Sequence, residues 1–261
     1  MLDPWSLSQK RWKKRLALAL GWRTVLNRAA ALHLLNEDES RLVAGLGLTA
    51  PVEIIPIGVP LEEIDQGRPG AFAARHPALA GHPYVLFVSR LHFKKGLDYL
   101  ADAFRLVADR HPDARLVVVG PDGGARADFE GRVKAAGLSG RVHVLGPVST
   151  RDKWDALAGA ACFCLPSRQE GFSMAILEAL AARVPAVISE ACHFPEVGEH
   201  GAGEVVPLDA AAVAAALDRA LSDPDRRREM GAAGRRLVEE RYTWARVAET
   251  SLDVYQRARA R

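Results

Sequence analysis

The chain has 261 residues, of which 49% are hydrophobic and 26% charged, with 22 Gly and 15 Pro. These ordinary globular proportions exclude a largely disordered chain, a collagen-like chain and a small disulfide scaffold. At roughly 150 residues per domain, the length corresponds to one large domain or to about one and a half ordinary ones.

The formal net charge of +3 is unevenly distributed along the chain. Residues 1–28 carry seven Lys and Arg side chains against the single acid Asp3, so this leader segment has a net charge of +6, whereas residues 29–261 have −3. Because the excess of cations is confined to the leader segment, the sequence predicts no nucleic-acid partner.

The leader segment also has the pattern of an amphipathic helix at about 5–20. Trp5, Trp12 and Leu16 share one face of a helical wheel and are flanked by Lys and Arg side chains. Such a face suits a peripheral contact with an anionic membrane through residues 5–20, and it suits packing against a further protein domain equally well. No stretch of the chain has 18 uncharged apolar residues, so no transmembrane span is predicted.

The three cysteines, Cys162, Cys164 and Cys192, are interpreted as small core residues. An odd number of cysteines in a chain of this size favours a reducing compartment. The protein is therefore expected to be cytoplasmic, either free or peripheral at the inner face of the membrane.

Before residue 83, the predicted elements do not suffice for a closed core. They are helices at 5–20 and 23–30, strands at 31–35 and 52–55, and a helix that is N-capped by Asn36. Residues 1–66 are therefore interpreted as the remnant of an N-terminal domain. The Gly- and Pro-rich residues 67–82 are predicted to form a linker.

From Pro83 onward, short apolar runs alternate with helical patterns. The predicted strands lie at 84–89, 114–120, 142–145, 161–165, 186–189 and 203–206. The predicted helices lie between them, and three Ala- and Arg-rich helices follow the last strand. Continuous apolar strands separated by helices predict an α/β domain, a doubly wound parallel sheet of the Rossmann-like type, at 83–242. Ligands of such sheets bind beyond the carboxyl ends of the strands.

The first candidate site lies where the first strand of this domain ends, from Ser89 to Gly96. Lys94 and Lys95 lie at the predicted start of the next helix, where the helix dipole disfavours each cation by a few tenths to about 1 kcal/mol. No acidic residue follows Arg90 before Asp98. A bound anion would offset this repulsion, because it would pair with the cations and accept hydrogen bonds from backbone N–H groups. The alternative is a solvated basic loop.

The second candidate site lies at the start of a helix that is otherwise apolar. Between Gly171 and Ala182 the only charged residue is Glu178, so its carboxylate should be buried or line a cleft and should have a hydrogen-bonding partner. Gly171 allows close approach to the helix N-terminus, which can bind an anion. A rise of about 1.5 Å per residue puts Glu170 and Glu178 within roughly 12 Å of each other, which suits one extended ligand. The alternative is one solvated and one structural glutamate.

Four segments, taken in order, carry a resemblance to a known family. They are Ser89-Arg-Leu with Lys95-Gly96, Val117-Val-Val-Gly-Pro121, Val142-His-Val-Leu-Gly146, and Glu170-Gly-Phe with Leu177-Glu178. This set, over about residues 30–258, resembles the retaining group 1 glycosyltransferases, which have the GT-B fold of two Rossmann-like domains. The resemblance implies transfer of a hexosyl unit from a nucleotide-diphosphate sugar to a saccharide or lipid-linked acceptor. It also implies a role in cell-surface polysaccharide or glycolipid synthesis, without a metal ion or another cofactor.

The resemblance implies roles for individual residues as well. Arg90 and Lys95 match the pair that holds the donor diphosphate and stabilises the departing nucleotide, and Glu170 matches the acid near the transferred sugar. These three are the candidate catalytic residues. Glu178 matches the acid that hydrogen-bonds the ribose hydroxyl groups. The further candidate donor-binding residues are Ser89, Gly146 in the loop that would hold the base, and Gly171, Phe172 and Ser173 through their backbone N–H groups.

The resemblance covers the donor-binding domain and only the end of the acceptor-side domain that precedes it. Met1 therefore resembles an internal methionine of a longer protein, and a helix at 243–261 is expected to return toward the N-terminal domain. Three functions remain open, of which two are a transferase and a catalytically silent nucleotide-sugar binding module that a partner chain completes. A third, a nucleotide-sugar epimerase on the same fold, would release a free sugar without any acceptor.

Overall fold

The computed structural model describes Trp12 and residues 21–259. These residues form two compact units, one up to Gly58 and again from Arg241 onward, and a larger one from Val59 to Glu240. Apart from Trp12, the predicted helix at 5–20 lies outside the described residues, as does its proposed membrane contact. Within the described part of the chain, no helix is both long and apolar enough to cross a membrane.

The strands and helices are labelled in chain order. The strands are β1 (Leu32–Leu34), β2 (Val52–Ile54), β3 (Tyr84–Val88), β4 (Arg115–Val119), β5 (Val142–Gly146), β6 (Cys162–Leu165), β7 (Ala186–Ser189) and β8 (Gly203–Val206). The helices are α1 (Arg23–Asn27), α2 (Glu37–Ala44), α3 (Leu61–Ile64), α4 (Ala71–Arg75), α5 (Leu97–Ala108), α6 (Arg126–Ala135), α7 (Thr150–Gly159), α8 (Met174–Ala181), α9 (Glu196–Glu199), α10 (Ala210–Ser222), α11 (Pro224–Arg241) and α12 (Trp244–Arg259).

The smaller unit is built on a parallel pair of strands, β1 and β2, and on the C-terminal helix α12. Ile55, Val247 and Val254 form a buried apolar cluster against which Ala31 packs. The predicted N-cap of α2 is confirmed, since the Asn36 side chain accepts a hydrogen bond from the backbone N–H of Glu39.

The larger unit contains a six-stranded parallel sheet in the order β5-β4-β3-β6-β7-β8. The four central strands β4, β3, β6 and β7 are short apolar runs that are almost wholly buried, as expected of a sheet that helices cover on both faces. The edge strands β5 and β8 are largely half-buried. The prediction of a doubly wound parallel α/β fold is confirmed.

The strand order reverses between β3 and β6. The chain proceeds from β3 outward to β4 and β5, and it then returns to the other side of β3 to form β6. Right-handed crossovers place α5 and α6 on one face of the sheet and α8 on the other. The carboxyl ends of β3 and β6 therefore lie side by side at the point where such sheets leave a crevice for a ligand.

The structure differs from the sequence prediction of a linker at 67–82. This stretch forms α4 and a 3₁₀ turn at Pro77–Leu79, and the side chains of Phe72 and Leu79 are fully buried in the larger unit. Arg75 anchors α4 by an ion pair of 2.8 Å with the buried carboxylate of Asp155. Two large apolar side chains suffice to dock a segment whose glycines and prolines otherwise indicate a loop.

The three cysteines are free thiols in the core, as predicted. Burial raises the pKa of Cys162 to about 12 and that of Cys192 to about 11, and it raises the pKa of Cys164 well above its ordinary value.

Gly120 permits a close backbone approach at the carboxyl edge of the sheet. Its φ angle is +143°, and a Cβ atom there would lie 1.9 Å from the carbonyl oxygen of Ser89. Its N–H donates to the carbonyl oxygen of Gly146 at 2.8 Å, so the ends of β3, β4 and β5 meet at this one residue.

We expect Gly120→Ala to lower the free energy of unfolding by at least about 2 kcal/mol, because the added methyl group overlaps the Ser89 carbonyl and strains the backbone. Urea denaturation measures this change. The control is Gly131→Ala on α6, where an added Cβ meets no other atom within 4 Å and alanine should stabilise the helix by about 0.5–1 kcal/mol. Equal effects of the two substitutions would contradict the steric explanation.

Candidate functional site

The predicted site residues lie on loops at the carboxyl edge of the six-stranded sheet. The loop after β3 carries Ser89, Arg90 and Lys95, and the loop after β6 carries Glu170 and leads into α8. Because β3 and β6 are neighbours in the sheet, residues about 75 positions apart in sequence come into contact.

Lys95 and Glu170 form a close ion pair between these two loops. The Lys95 ammonium group lies 2.6 Å from Oε1 and 2.7 Å from Oε2 of Glu170, and both side chains are largely buried. The Ser167 hydroxyl donates a further hydrogen bond of 2.5 Å to Oε1. The sequence suggested that an external anion compensates Lys95, whereas the structure supplies an internal carboxylate.

Further contacts brace residues 93–98 against residues 166–170; we call these two segments the loop seam. Arg168 forms two hydrogen bonds with the Asp98 carboxylate, at 2.8 and 2.5 Å. The Arg168 guanidinium carbon also lies 4.0 Å from the centre of the Phe93 ring. The ammonium group of Lys94 donates to the side-chain amide oxygen of Gln169 at 2.9 Å. The seam thus holds the Lys95–Glu170 pair from both sides.

Gly96 lets the two segments of the loop seam approach each other. It has a φ angle of +68°, and a Cβ atom there would lie 1.8 Å from the carbonyl oxygen of Pro166. Gly96 is also the N-cap of α5, so the two lysines precede the helix in a separate 3₁₀ turn, Phe93–Lys95. A side chain at position 96 would force the segments of the seam apart.

Arg90 contrasts with Lys95 because its charge is not used by the fold. Its side chain is exposed, and its guanidinium group makes no hydrogen bond or ion pair with the residues that the structure describes. The aliphatic part of the side chain lies over Gly123, where an added Cβ would come within 2.9 Å of Cγ of Arg90. The guanidinium group can therefore bind an anion without breaking an internal contact.

The start of α8 offers backbone N–H groups beside the Lys95–Glu170 pair. Its N-cap residue, Ser173, makes no side-chain capping bond, so the hydroxyl leaves the first-turn N–H groups available. A Cβ added at Gly171 would meet no protein atom within 4 Å, and its φ is not in the left-handed region. The backbone geometry does not require a glycine at position 171, but the open space suits a close ligand. Phe172 and Ser173 line a pocket together with Cys192, His193 and Phe194.

Glu178 lies on α8 about one turn beyond the first residue of that helix. Its side chain contacts α7 rather than the loop seam. Its Oε1 accepts a hydrogen bond of 2.7 Å from the Lys153 ammonium group. Burial raises the pKa of Glu178 above its ordinary value, and Lys153 opposes that rise. The predicted partner of this carboxylate exists, but the sequence reasoning did not identify it as Lys153.

The other predicted donor-site residues, Ser89 and Gly146, lie at strand ends on the same edge of the sheet. Ser89 donates its backbone N–H to Val119, and Gly146 ends β5 with a φ angle of +70° just before the loop that leads to α7. In the described part of the chain, no group of three or more His, Cys, Asp or Glu side chains is arranged to hold a metal ion.

The residues missed by sequence reasoning are those that hold the predicted ones in place. Ser167, Arg168 and Asp98 fix the loop seam, and Lys153 fixes Glu178. The one available signal was the isolated carboxylate of Glu178 on an apolar helix, which indicated that a partner must exist.

Comparison with known proteins identifies the family. Residues 72–237 match the family described as glycosyl transferases group 1, and the chain belongs to this family. The MMP alpha-(1->4)-mannosyltransferase of Mycolicibacterium hassiacum is 34% identical over 215 residues, which are 80% of this chain and 49% of that protein. A GDP-mannose-dependent phosphatidylinositol monomannoside mannosyltransferase of Corynebacterium glutamicum is 31% identical over 83% of this chain and 59% of its own length.

Solved structures show the same fold. Anabaena HepE, solved in complex with UDP-glucose, superposes with a TM-score of 0.81 and 21% identity over 100% of this chain and 70% of that chain. The sucrose-phosphate synthase of Thermosynechococcus elongatus superposes with a TM-score of 0.79 and 25% identity over 92% of this chain and 61% of that chain. The chain spans about half the length of the curated relatives it matches.

The Arg168–Asp98 contact gives a pH-dependent test of the loop seam. Burial opposes ionisation of Asp98, but the hydrogen bonds and charge of Arg168 hold the pKa of Asp98 below its ordinary value of 3.8. A lowered pKa in the folded state stabilises the fold above the ordinary pKa, and this contribution disappears as the pH falls through the lowered value.

We expect Arg168→Ala to lower the free energy of unfolding by about 2 kcal/mol at neutral pH, since it removes two charge-assisted hydrogen bonds. The difference from wild type should shrink as the pH falls below 3.8. Denaturant unfolding at a series of pH values measures both effects. Arg228→Ala, which removes an exposed ion pair with Asp225, should cost less than about 0.5 kcal/mol. A difference for Arg168→Ala that is constant with pH would rule out this account.

Proposed function

We propose that this chain is the donor-binding part of a retaining hexosyltransferase. It binds a nucleotide-diphosphate sugar at residues 83–242 and transfers the hexosyl unit to a saccharide or lipid-linked acceptor, in cell-surface polysaccharide or glycolipid synthesis at the cytoplasmic side of the membrane. The smaller unit, up to Gly58 and from Arg241 onward, belongs to the acceptor side in this proposal. Membership of the group 1 glycosyltransferase family supports it.

One observation supports the donor site above all others. Two cationic side chains, Arg90 and Lys95, and the N-terminus of α8 lie on the loops after β3 and β6, at the switch point of a parallel sheet. A diphosphate leaving group gains negative charge as its bond to the sugar breaks, and fixed cations and backbone N–H groups stabilise that charge. In this proposal Arg90 and Lys95 stabilise the departing nucleotide.

In this proposal Glu170 contacts the transferred hexosyl unit of the donor, and Glu178 contacts its ribose. Glu170 is bonded to Lys95. In this proposal both lie beside the donor diphosphate, at the end that is attached to the transferred hexosyl unit. Glu178 is further along α8 and would accept hydrogen bonds from the ribose hydroxyl groups, with the base in the loop after Gly146. In this proposal Gly171, Phe172 and Ser173 contact the donor phosphates through their backbone N–H groups. The open space beside Gly171 leaves room for the phosphates.

The names of the relatives and neighbours support this donor class. One relative is named a GDP-mannose-dependent mannosyltransferase acting on a phosphatidylinositol mannoside, and one neighbour was solved with UDP-glucose. Uridine and guanosine diphosphates are therefore the two probes of choice for the donor site.

We expect Arg90→Ala to weaken the binding of UDP or GDP by about 10- to 100-fold, because it removes a charge-assisted bond to phosphate. Its melting temperature should stay at the wild-type value, since the guanidinium group makes no internal contact with the described residues. Isothermal titration calorimetry and a thermal melt measure the two quantities. Arg105→Ala, on the exposed surface of α5, is the control and should bind as wild type does. Unchanged affinity in Arg90→Ala would show that the diphosphate binds elsewhere.

A second candidate function is a catalytically silent nucleotide-sugar binding module. Such a module would bind the donor through the same residues and would need a partner chain for transfer.

Turnover separates the two functions. The transferase should hydrolyse or transfer the hexosyl unit of a bound UDP- or GDP-hexose, and proton NMR of the first-formed product should show the anomeric configuration of the donor. We expect Glu170→Gln to reduce that rate by at least about 100-fold, since in this proposal the carboxylate lies beside the reacting sugar. Donor binding without any turnover would establish the silent module, and an inverted product would exclude retention.

A further inference from the structure

Lys153 is a half-buried cation whose one contact described so far is the hydrogen bond to Glu178. It lies on α7, the helix that follows the loop after Gly146, and its side chain is only 24% exposed. Its ammonium group lies 4.1 Å from the centre of the Trp154 ring and 2.7 Å from Oε1 of Glu178. Trp154 is itself buried and anchors α7 in the larger unit. The ammonium group is therefore held from α7 by the Trp154 ring and from α8 by Glu178.

Glu178 needs such a cation more than an exposed glutamate would. The side chain of Glu178 is 13% exposed, and its neighbours on α8, Ile176, Leu177, Ala179 and Leu180, are buried and apolar. An isolated carboxylate in such surroundings takes up a proton, and the neutral acid then accepts hydrogen bonds less strongly. In the described part of the chain, Lys153 is the charged group that faces Glu178.

The geometry of the pair leaves one carboxylate oxygen for a ligand. Lys153 bonds to Oε1, and no residue that the structure describes bonds to Oε2. A carboxylate held by one oxygen has a fixed orientation, and its second oxygen can accept from a neighbouring hydroxyl group. A vicinal diol, as in ribose, presents two such donors.

We propose that Lys153 is a positioning residue of the nucleotide site, which keeps Glu178 ionised and oriented so that Glu178 binds the ribose hydroxyl groups of the donor. This inference rests on the proposed function. It adds a residue from α7 to a site that is otherwise built from the loops after β3 and β6 and from α8.

The ribose hydroxyl groups themselves give the test. In the full chain, we expect Lys153→Met to weaken UDP or GDP binding by about tenfold, the effect of one or two hydrogen bonds to a charged group. The same substitution should change the affinity for the 2′,3′-dideoxy form of that nucleotide by less than about twofold, since the dideoxy form lacks the hydroxyl groups. Equal weakening of both nucleotides would overturn the proposal.

Two further variants separate this role from a general effect of charge or folding. Lys153→Arg keeps the cation and should retain most of the affinity, and Lys134→Met removes an exposed cation on α6 and should bind as wild type does. In a Glu178→Gln background, Lys153→Met should cause no further loss of affinity, because the amide needs no cation. Additive losses in the double variant, or a loss in Lys134→Met as large as that in Lys153→Met, would contradict the proposal.

The pH dependence of binding gives an independent measurement. Since burial raises the pKa of Glu178 and Lys153 lowers it, removal of Lys153 should raise that pKa further. As the pH is lowered, affinity for UDP or GDP should therefore begin to fall at a higher pH in Lys153→Met than in wild type. Coincident pH profiles would argue against the proposal. If wild type binds neither UDP nor GDP at any pH, the proposed function fails, and this inference fails with it.

Discussion

The ion pair between Lys95 and Glu170 is the interaction on which the arrangement of the candidate site depends. Its two members leave the sheet from adjacent strands, β3 and β6, and it forms only because the strand order reverses between them. Arg168, Asp98 and Gly96 hold the same two loops together by contacts of other kinds. A ligand that contacts both loops therefore meets side chains that are already in place, and little ordering is required when it binds.

Much of the fold could be predicted from the sequence because the strands are continuous apolar runs. A run such as Tyr84–Val88 is buried on both faces, so its position and its parallel pairing follow from composition and spacing. Residues 67–82 could not be assigned correctly in this way. There the docking of Phe72 and Leu79 outweighs the local preference of Gly and Pro, and burial against distant elements is not visible in a local pattern.

The candidate site likewise contains residues that the sequence indicates and residues that only tertiary packing reveals. Lys95 and Glu178 stand out in the sequence, because a cation at a helix start and a lone carboxylate on an apolar helix are both unusual. The partners that hold the site in place do not stand out, because they are remote in sequence: Lys153 is 25 positions from Glu178, and Arg168 is 70 positions from Asp98. These pairs come into contact only after α7 and the loop after β6 have packed on the sheet. The sequence therefore indicates which groups could meet a ligand, and tertiary packing determines how each is oriented.

The burial of the thiols has a practical consequence for labelling. The chain has three cysteines, and burial keeps Cys162, Cys164 and Cys192 protonated well above neutral pH. Since the thiolate is the form that reacts with maleimides and iodoacetamides, all three should be inert in the folded protein. A cysteine introduced on an exposed surface would then be the one fast-reacting thiol, and a fluorophore attached there could follow ligand arrival in real time without prior removal of the native cysteines.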